Sequence, residues 1–138
     1  MGAKKTKSTK GFTLMELIIV MALLAIIAAI LIPMFLNTTD RARLRSDIQS
    51  ARVVQNAREL YRVERGRAVA GLDAATIMDN LADAGYLDLR NANVQTENAV
   101  WREDNVRGIL VDISNSPPSV REIYDNLSAA ERQMVYNP

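Results

Sequence analysis

The residues best placed to do chemistry in this chain sit near its start: Thr13-Leu14-Met15-Glu16, directly ahead of a run, Leu17 to Ile32, with no polar side chain. A carboxylate at the head of such a run can close a capping box with Thr13, each side chain satisfying a backbone N–H that the start of a helix leaves unpaired. It is an odd group to place at the edge of lipid, where an unpaired charge is costly. Nucleophilic, zinc and general-base arrangements have little to draw on, since the chain has no His and no Cys. A disulfide framework is excluded for the same reason. The nearest thing to a metal site is Glu103, Asp104 and Asp112, which straddle an expected hairpin and read as a solvated turn. No cofactor, no metal and no catalytic activity are expected.

The elements around Glu16 explain what holds it. Residues 1–11 carry Lys4, Lys5, Lys7 and Lys10 and no acid. Behind them the apolar run passes Pro33 and resumes through Met34, Phe35 and Leu36. Leu14 to Leu36 as a helix is roughly 35 Å long, enough to cross a hydrocarbon core of about 30 Å. A secretory signal peptide wants a small-residue cleavage site after its apolar region, and residues 31–35 offer none. An ordinary membrane anchor is the stronger competitor, and Glu16 is what counts against it. Pro33 cannot donate a backbone hydrogen bond, so a kink or loosening of the helix is expected there.

Lys10-Gly11-Phe12-Thr13-Leu14-x-Glu16 followed by a spanning-length apolar helix resembles the processing signal of type IV pilins and their relatives, the type II secretion pseudopilins and competence pilins. The resemblance implies that a prepilin peptidase cuts between Gly11 and Phe12 on the cytoplasmic side and methylates the new Phe12 amine. Glycine leaves the backbone open to an approaching enzyme. It implies, too, that Glu16 is an assembly register residue that meets the N-terminal amine of a neighbouring subunit. Pro33 falls where family members commonly carry proline. The expected partners are prepilin peptidase, further copies of this chain and related pilins in a helical filament, an inner-membrane assembly platform, and membrane lipid before assembly. The precursor is expected in the cytoplasmic membrane with its N-terminus inside, and the filament in the periplasm or outside the cell.

From Asp40 to Arg65 the pattern becomes amphipathic: Leu44, Ile48, Ala51, Val54, Ala57 and Tyr61 form one apolar stripe. With no Gly or Pro between Met34 and Arg65, the two halves can form one helix of about 50 residues ending at Gly66. Asn37-Thr38-Thr39 is the weakest place in it. The stem is basic, with eight arginines (41, 43, 45, 52, 58, 62, 65 and 67) against three acids between Arg41 and Arg67, whereas Ala68 to Pro138 has five arginines and eleven acids. Nucleic acid as a partner is unsupported, because no binding motif accompanies the arginines and only Tyr61 is interleaved with them. A solvated face explains such a run, and a basic stem lying against the acidic domain of another subunit explains the whole charge map.

In the remainder, Asp73 is the expected N-cap and Gly85 the C-terminal stop of a short helix with Ile77, Leu81 and Ala84 on its apolar side. Residues 99–102 and 106–113 read as a hairpin turning at Glu103-Asp104-Asn105, with a third strand expected from Asn91–Gln95. Trp101, the only tryptophan, is expected to pack against the stem. A helix opening at Pro118 or Ser119 runs to Leu127, and Ser128-Ala129-Ala130-Glu131 starts a last helical turn to Val135.

The fold expected is α+β and lollipop-like: one long N-terminal helix packed on a small domain with a short antiparallel sheet and C-terminal helices. Its parts are a cleaved leader 1–11, a transmembrane or filament-core helix 12–36, an amphipathic stem 37–66 and a soluble domain 67–138. The function this implies is a structural subunit of a type IV pilus-like filament. The alternatives are an uncleaved membrane-anchored binding module and a minor tip pilin that binds a ligand. If stem and domain of neighbouring copies attract one another by charge, filaments recovered at low ionic strength will fall apart steeply as salt is added; salt-indifferent filaments remove the idea.

Overall fold

A computed structural model describes Gly2 and residues 11–138. The leader lysines Lys4, Lys5, Lys7 and Lys10 lie outside the described residues. Helix α1 runs unbroken from Leu14 to Arg65, 52 residues, with Pro33 inside it. The expected weak point at Asn37-Thr38-Thr39 is helical throughout. Propensity penalties of at most about 0.7 kcal/mol for each such residue do not outweigh the backbone hydrogen bonds a break would sacrifice. Gly66, at φ 65°, supplies the left-handed residue that ends the helix.

The chain divides into two compact units, residues up to Leu36 and Asn37–Pro138. In the first, every described side chain from Phe12 to Phe35 is exposed. In the second, Leu44, Ile48, Ala51, Val54 and Ala57 are buried, which is the stripe that the three-four spacing marks out. Leu44, Ile48 and Ala51 pack with Val111, Ile113, Val120, Ile123, Leu127 and Val135. One turn further on, Val54 and Ala57 pack with Val69, Ile77, Met78, Leu81 and Ile109. Trp101 packs against both clusters and its indole N–H donates to the Ala92 carbonyl at 2.7 Å.

Helix α2, Ala74–Asp83, starts on Asp73, whose carboxylate accepts from the Thr76 N–H at 2.8 Å. It stops before Gly85, at φ 83°. A single 3-10 turn covers Leu89–Asn91. Strands β1, Val100–Asp104, and β2, Gly108–Asp112, pair antiparallel with Asp104 opposite Gly108. The turn is therefore Asn105–Arg107, later than the expected 103–105. Asp104 sets it: its Oδ1 accepts from the backbone N–H of Val106 at 2.9 Å and of Arg107 at 2.8 Å. The Gln55 amide ties this end to α1 by donating to the carbonyls of Arg107 and Ile109.

Helix α3, Pro118–Asp125, begins on proline, and α4, Ala129–Arg132, carries the expected Ser128–Glu131 capping box. The chain then leaves helix early. Val135–Tyr136 is strand β3, parallel to β2 with Val135 opposite Val111, so the sheet is mixed and ordered β1-β2-β3. The expected third strand at Asn91–Gln95 does not form. Its end is claimed by Asp47, a fully buried stem carboxylate that accepts from the N–H of Gln95 at 2.9 Å and of Thr96 at 2.8 Å. A sequence window cannot reveal a donor pair that answers to a side chain nearly fifty positions away.

Asp47 is thus a buried carboxylate held by two backbone donors. Asp47→Ala leaves the buried Thr96 N–H and the partly buried Gln95 N–H without this acceptor, and is expected to lower stability by about 1–3 kcal/mol. Asp47→Asn, which keeps an acceptor, should lose less. Chemical denaturation of the detergent-solubilised protein followed by Trp101 fluorescence measures both.

Candidate functional site

Gly11, Phe12 and Thr13 precede α1 in exposed chain without regular secondary structure, and Phe12 is 91% exposed. The first turn of the helix then folds back on this segment. The Thr13 backbone N–H donates to Glu16 Oε2 at 2.9 Å and the Thr13 hydroxyl to the same oxygen at 3.2 Å. The Glu16 N–H donates in return to Thr13 Oγ1 at 3.3 Å. This is the reciprocal capping box that the Thr-x-x-Glu spacing predicts, and the negative charge also suits the positive end of the helix dipole. Both bonds fall on Oε2, so capping engages one oxygen of the carboxylate. The acid is exposed, at the head of a helix whose side chains are apolar and exposed on all sides as far as Phe35. Capping and pairing with an outside cation are therefore compatible roles for Glu16.

The stem arginines are the second cluster that the sequence brings forward, and the structure gives several of them partners within the chain. Arg58 Nη2 meets Glu103 at 2.9 Å, and Arg45 Nε meets Glu131 at 3.5 Å. Arg43 pairs with Asp40 and Arg62 with Glu59, both within the helix. Arg65 lies 6.0 Å from the ring centroid of Tyr61. Arg58–Glu103 and Arg45–Glu131 thus join stem to domain within one chain.

The acidic groups near the hairpin are occupied in the same way. Glu103 holds Arg58, Asp104 caps its own turn, and Asp112 binds Arg102 at 3.0 Å and the Ser114 hydroxyl at 2.6 Å. Arg102 also stacks 3.9 Å over Tyr136, which clamps β3 to the sheet. Among the described residues no three His, Cys, Asp or Glu gather as a metal site. The sequence reading missed the clamp and the Gln55 tie. Both join positions dozens of residues apart except for Arg102 and Asp112, whose opposite charges across the hairpin were the one visible signal.

Residues 6–32 match the prokaryotic N-terminal methylation motif. Two fimbrial proteins of Pseudomonas aeruginosa are each 30% identical to the chain over 104 residues, 75% of its length. The chain belongs to the type IV pilin family. It spans 66% of the length of each of these relatives. No solved structure matches it. Membership makes this chain a protein of the pilin type. The exposed apolar helix fits a membrane-anchored precursor and a surface filament. Gly11, Phe12 and Glu16 all fall within the matched residues.

Several carboxylates of the pilin domain are held below their ordinary pKa. For Asp104 the cause is the backbone N–H of Arg107, then that of Val106. For Glu131 it is the Ser128 N–H and hydroxyl, with Arg45 and Arg52 adding to them. For Asp73 it is the Thr76 N–H. At Asp112 the largest single influence is burial, which pushes the carboxyl up, but the bonds from Ser114 and Arg102 together outweigh it. A carboxylate with a depressed folded-state pKa contributes stability above its unfolded value and loses it as pH falls through the folded one. Unperturbed values are 4.5 for Glu131 and 3.8 for the aspartates. The melting temperature should hold level from neutral pH to about pH 5 and fall progressively below that. Asp104→Asn should flatten part of the decline, and thermal melts across pH 7 to 3 read both effects (~4 units of range).

Proposed function

We propose that this pilin is built into a type IV pilus-like filament after prepilin peptidase cuts between Gly11 and Phe12 and methylates the Phe12 amine. The parts are a leader 1–11, a membrane and filament-core helix 12–36, a stem 37–66 and a domain 67–138. Before assembly the core helix sits in lipid, the N-terminus is cytoplasmic, and an inner-membrane platform draws the subunit out. The fimbrial relatives support a pilus at the cell surface as the destination.

The observation that carries the reading is Glu16 at the head of a helix that is otherwise apolar and exposed on every side. Lipid tails and neighbouring helices are equally apolar, so burial alone gives no register between subunits. A charge does. The new Phe12 amine is a cation at the positive end of its own helix, an unfavourable place for it. The Glu16 carboxylate of a neighbouring copy relieves that charge, and any register that leaves either group unpaired is penalised. Pro33 removes the N–H that would bond the Ala29 carbonyl and gives the helix a point of bending as it leaves the membrane.

The test is the N-terminal mass of protein recovered from native membranes and sheared filaments. A species beginning at N-methylated Phe12 is expected. An intact leader in cells that possess the peptidase would instead leave an uncleaved membrane-anchored domain. Glu16→Val should still be cut at Phe12, since it leaves the junction untouched, but should lower filament yield at least about tenfold, the loss expected when a buried amine is left unpaired.

A further inference from the structure

Two unpartnered surfaces of the second compact unit have complementary chemistry. On the outward side of the stem, Val53, Leu60 and Val63 are 49%, 50% and 72% exposed. Spacings of seven and three residues put them on one helix face, with the exposed Asn56 between them. Arg52 and Arg67 bracket this face in sequence, and neither forms an ion pair among the described residues, although Arg52 is close enough to Glu131 to influence it.

The other surface is an open groove of about 440 Å³ between α2, the 3-10 turn and the start of β1. Met78, Leu89, Val94, Val100 and Trp101 line it, with Asp79 among them. Asp83 lies one turn further along α2 and is exposed like Asp79. Neither acid forms an ion pair among the described residues. Exposed apolar side chains on one surface, and a tryptophan groove beside acids without ion pairs on the other, are what a docking pair needs.

We infer that the groove takes the Val53–Leu60–Val63 face of a second copy of this chain, so that the stem of one subunit lies in the α2–β1 groove of the next. This rests on the filament reading above and adds the contact between subunits outside the core helix. Charge supports the choice of occupant. Arg52, which forms no ion pair among the described residues, flanks the apolar face, the exposed Glu64 beside Val63 is held by the Tyr86 hydroxyl, and Asp79 lies in the groove with Asp83 one turn on, so opposite signs meet where stem and groove touch. Symmetry supports it too. A face that mates with itself closes a two-fold dimer, whereas two different surfaces on one molecule make a heterologous contact that repeats without closing. A filament requires the second kind.

The chain has no cysteine, so introduced thiols report only on themselves. Val63→Cys and Val94→Cys are made in one full-length chain, and sheared filaments are treated with a short bis-maleimide linker, which tolerates geometries that a disulfide does not. The expected result on a denaturing gel is a ladder of dimers, trimers and larger species, with each single-cysteine variant remaining monomeric. Dimers from Val63→Cys alone would show the face mating with itself and overturn the inference. Filaments that contain the double variant but yield only monomer also overturn it, while leaving the filament reading intact. An unaltered chain that forms no filaments at all counts against the filament reading itself. As an independent readout, Val63→Asp places a charge on an exposed position where the fold has no need of valine. It should lower filament yield severalfold and abolish any blue shift of Trp101 emission on assembly. Unchanged yield and an unchanged shift overturn the groove assignment.

Discussion

Everything in the second compact unit depends on burying one stripe of α1. Leu44, Ile48, Ala51, Val54 and Ala57 give the sheet, α2 and α3 a common surface to cover, and the two hydrophobic clusters are successive stretches of that stripe. A three-stranded sheet whose last strand has two residues is marginal by itself. It persists because Ile109, Val111 and Val135 lie on the helix, and because Gln55 and Arg58 hold the hairpin end by a hydrogen bond and an ion pair. A change that rotates the stripe out of register would remove the foundation of both clusters together.

The same helix meets a different demand before residue 36, where there is no stripe because there is no solvent-facing side to distinguish. Apolar residues on all sides suit lipid or a packed filament core equally. That equivalence makes passage from one to the other thermodynamically plausible, and it shifts the burden of specificity onto the few polar features present. Glu16 is the chief of these. Its capping bonds to Thr13 keep it ordered and poised at the helix start, while half of the carboxylate's bonding capacity stays available for a cation from elsewhere.

Electrostatics in the domain serve two ends. Arg58–Glu103, Arg45–Glu131 and Arg102–Asp112 tie the stem, the C-terminal capping box and the sheet together within a chain. These pairs are partly exposed, so each is worth little alone. Their value lies in fixing which elements meet. Beyond them, Arg52 on the stem and Asp79 and Asp83 on α2 form no ion pair among the described residues. Charges of that kind shape contacts between molecules more than stability within one.

The sequence by itself determined whatever is local. The capping boxes at Thr13–Glu16 and Ser128–Glu131, the N-cap at Asp73, the stops at Gly66 and Gly85 and the buried stripe of the stem all depend on residues a few positions apart, within reach of helix geometry. The Gly11–Glu16 part of the N-terminal methylation motif is legible for the same reason, since it occupies six consecutive residues. Only the tertiary structure decided the rest. The parallel strand at Val135–Tyr136, the unpaired segment before Thr96 and the Arg58–Glu103 and Arg45–Glu131 pairs each follow from partners far away in the chain. Asp47 shows the physical reason most clearly: a buried carboxylate must find donors wherever the fold supplies them, and it takes the N–H of Gln95, at the end of the expected strand, and that of Thr96 beyond it.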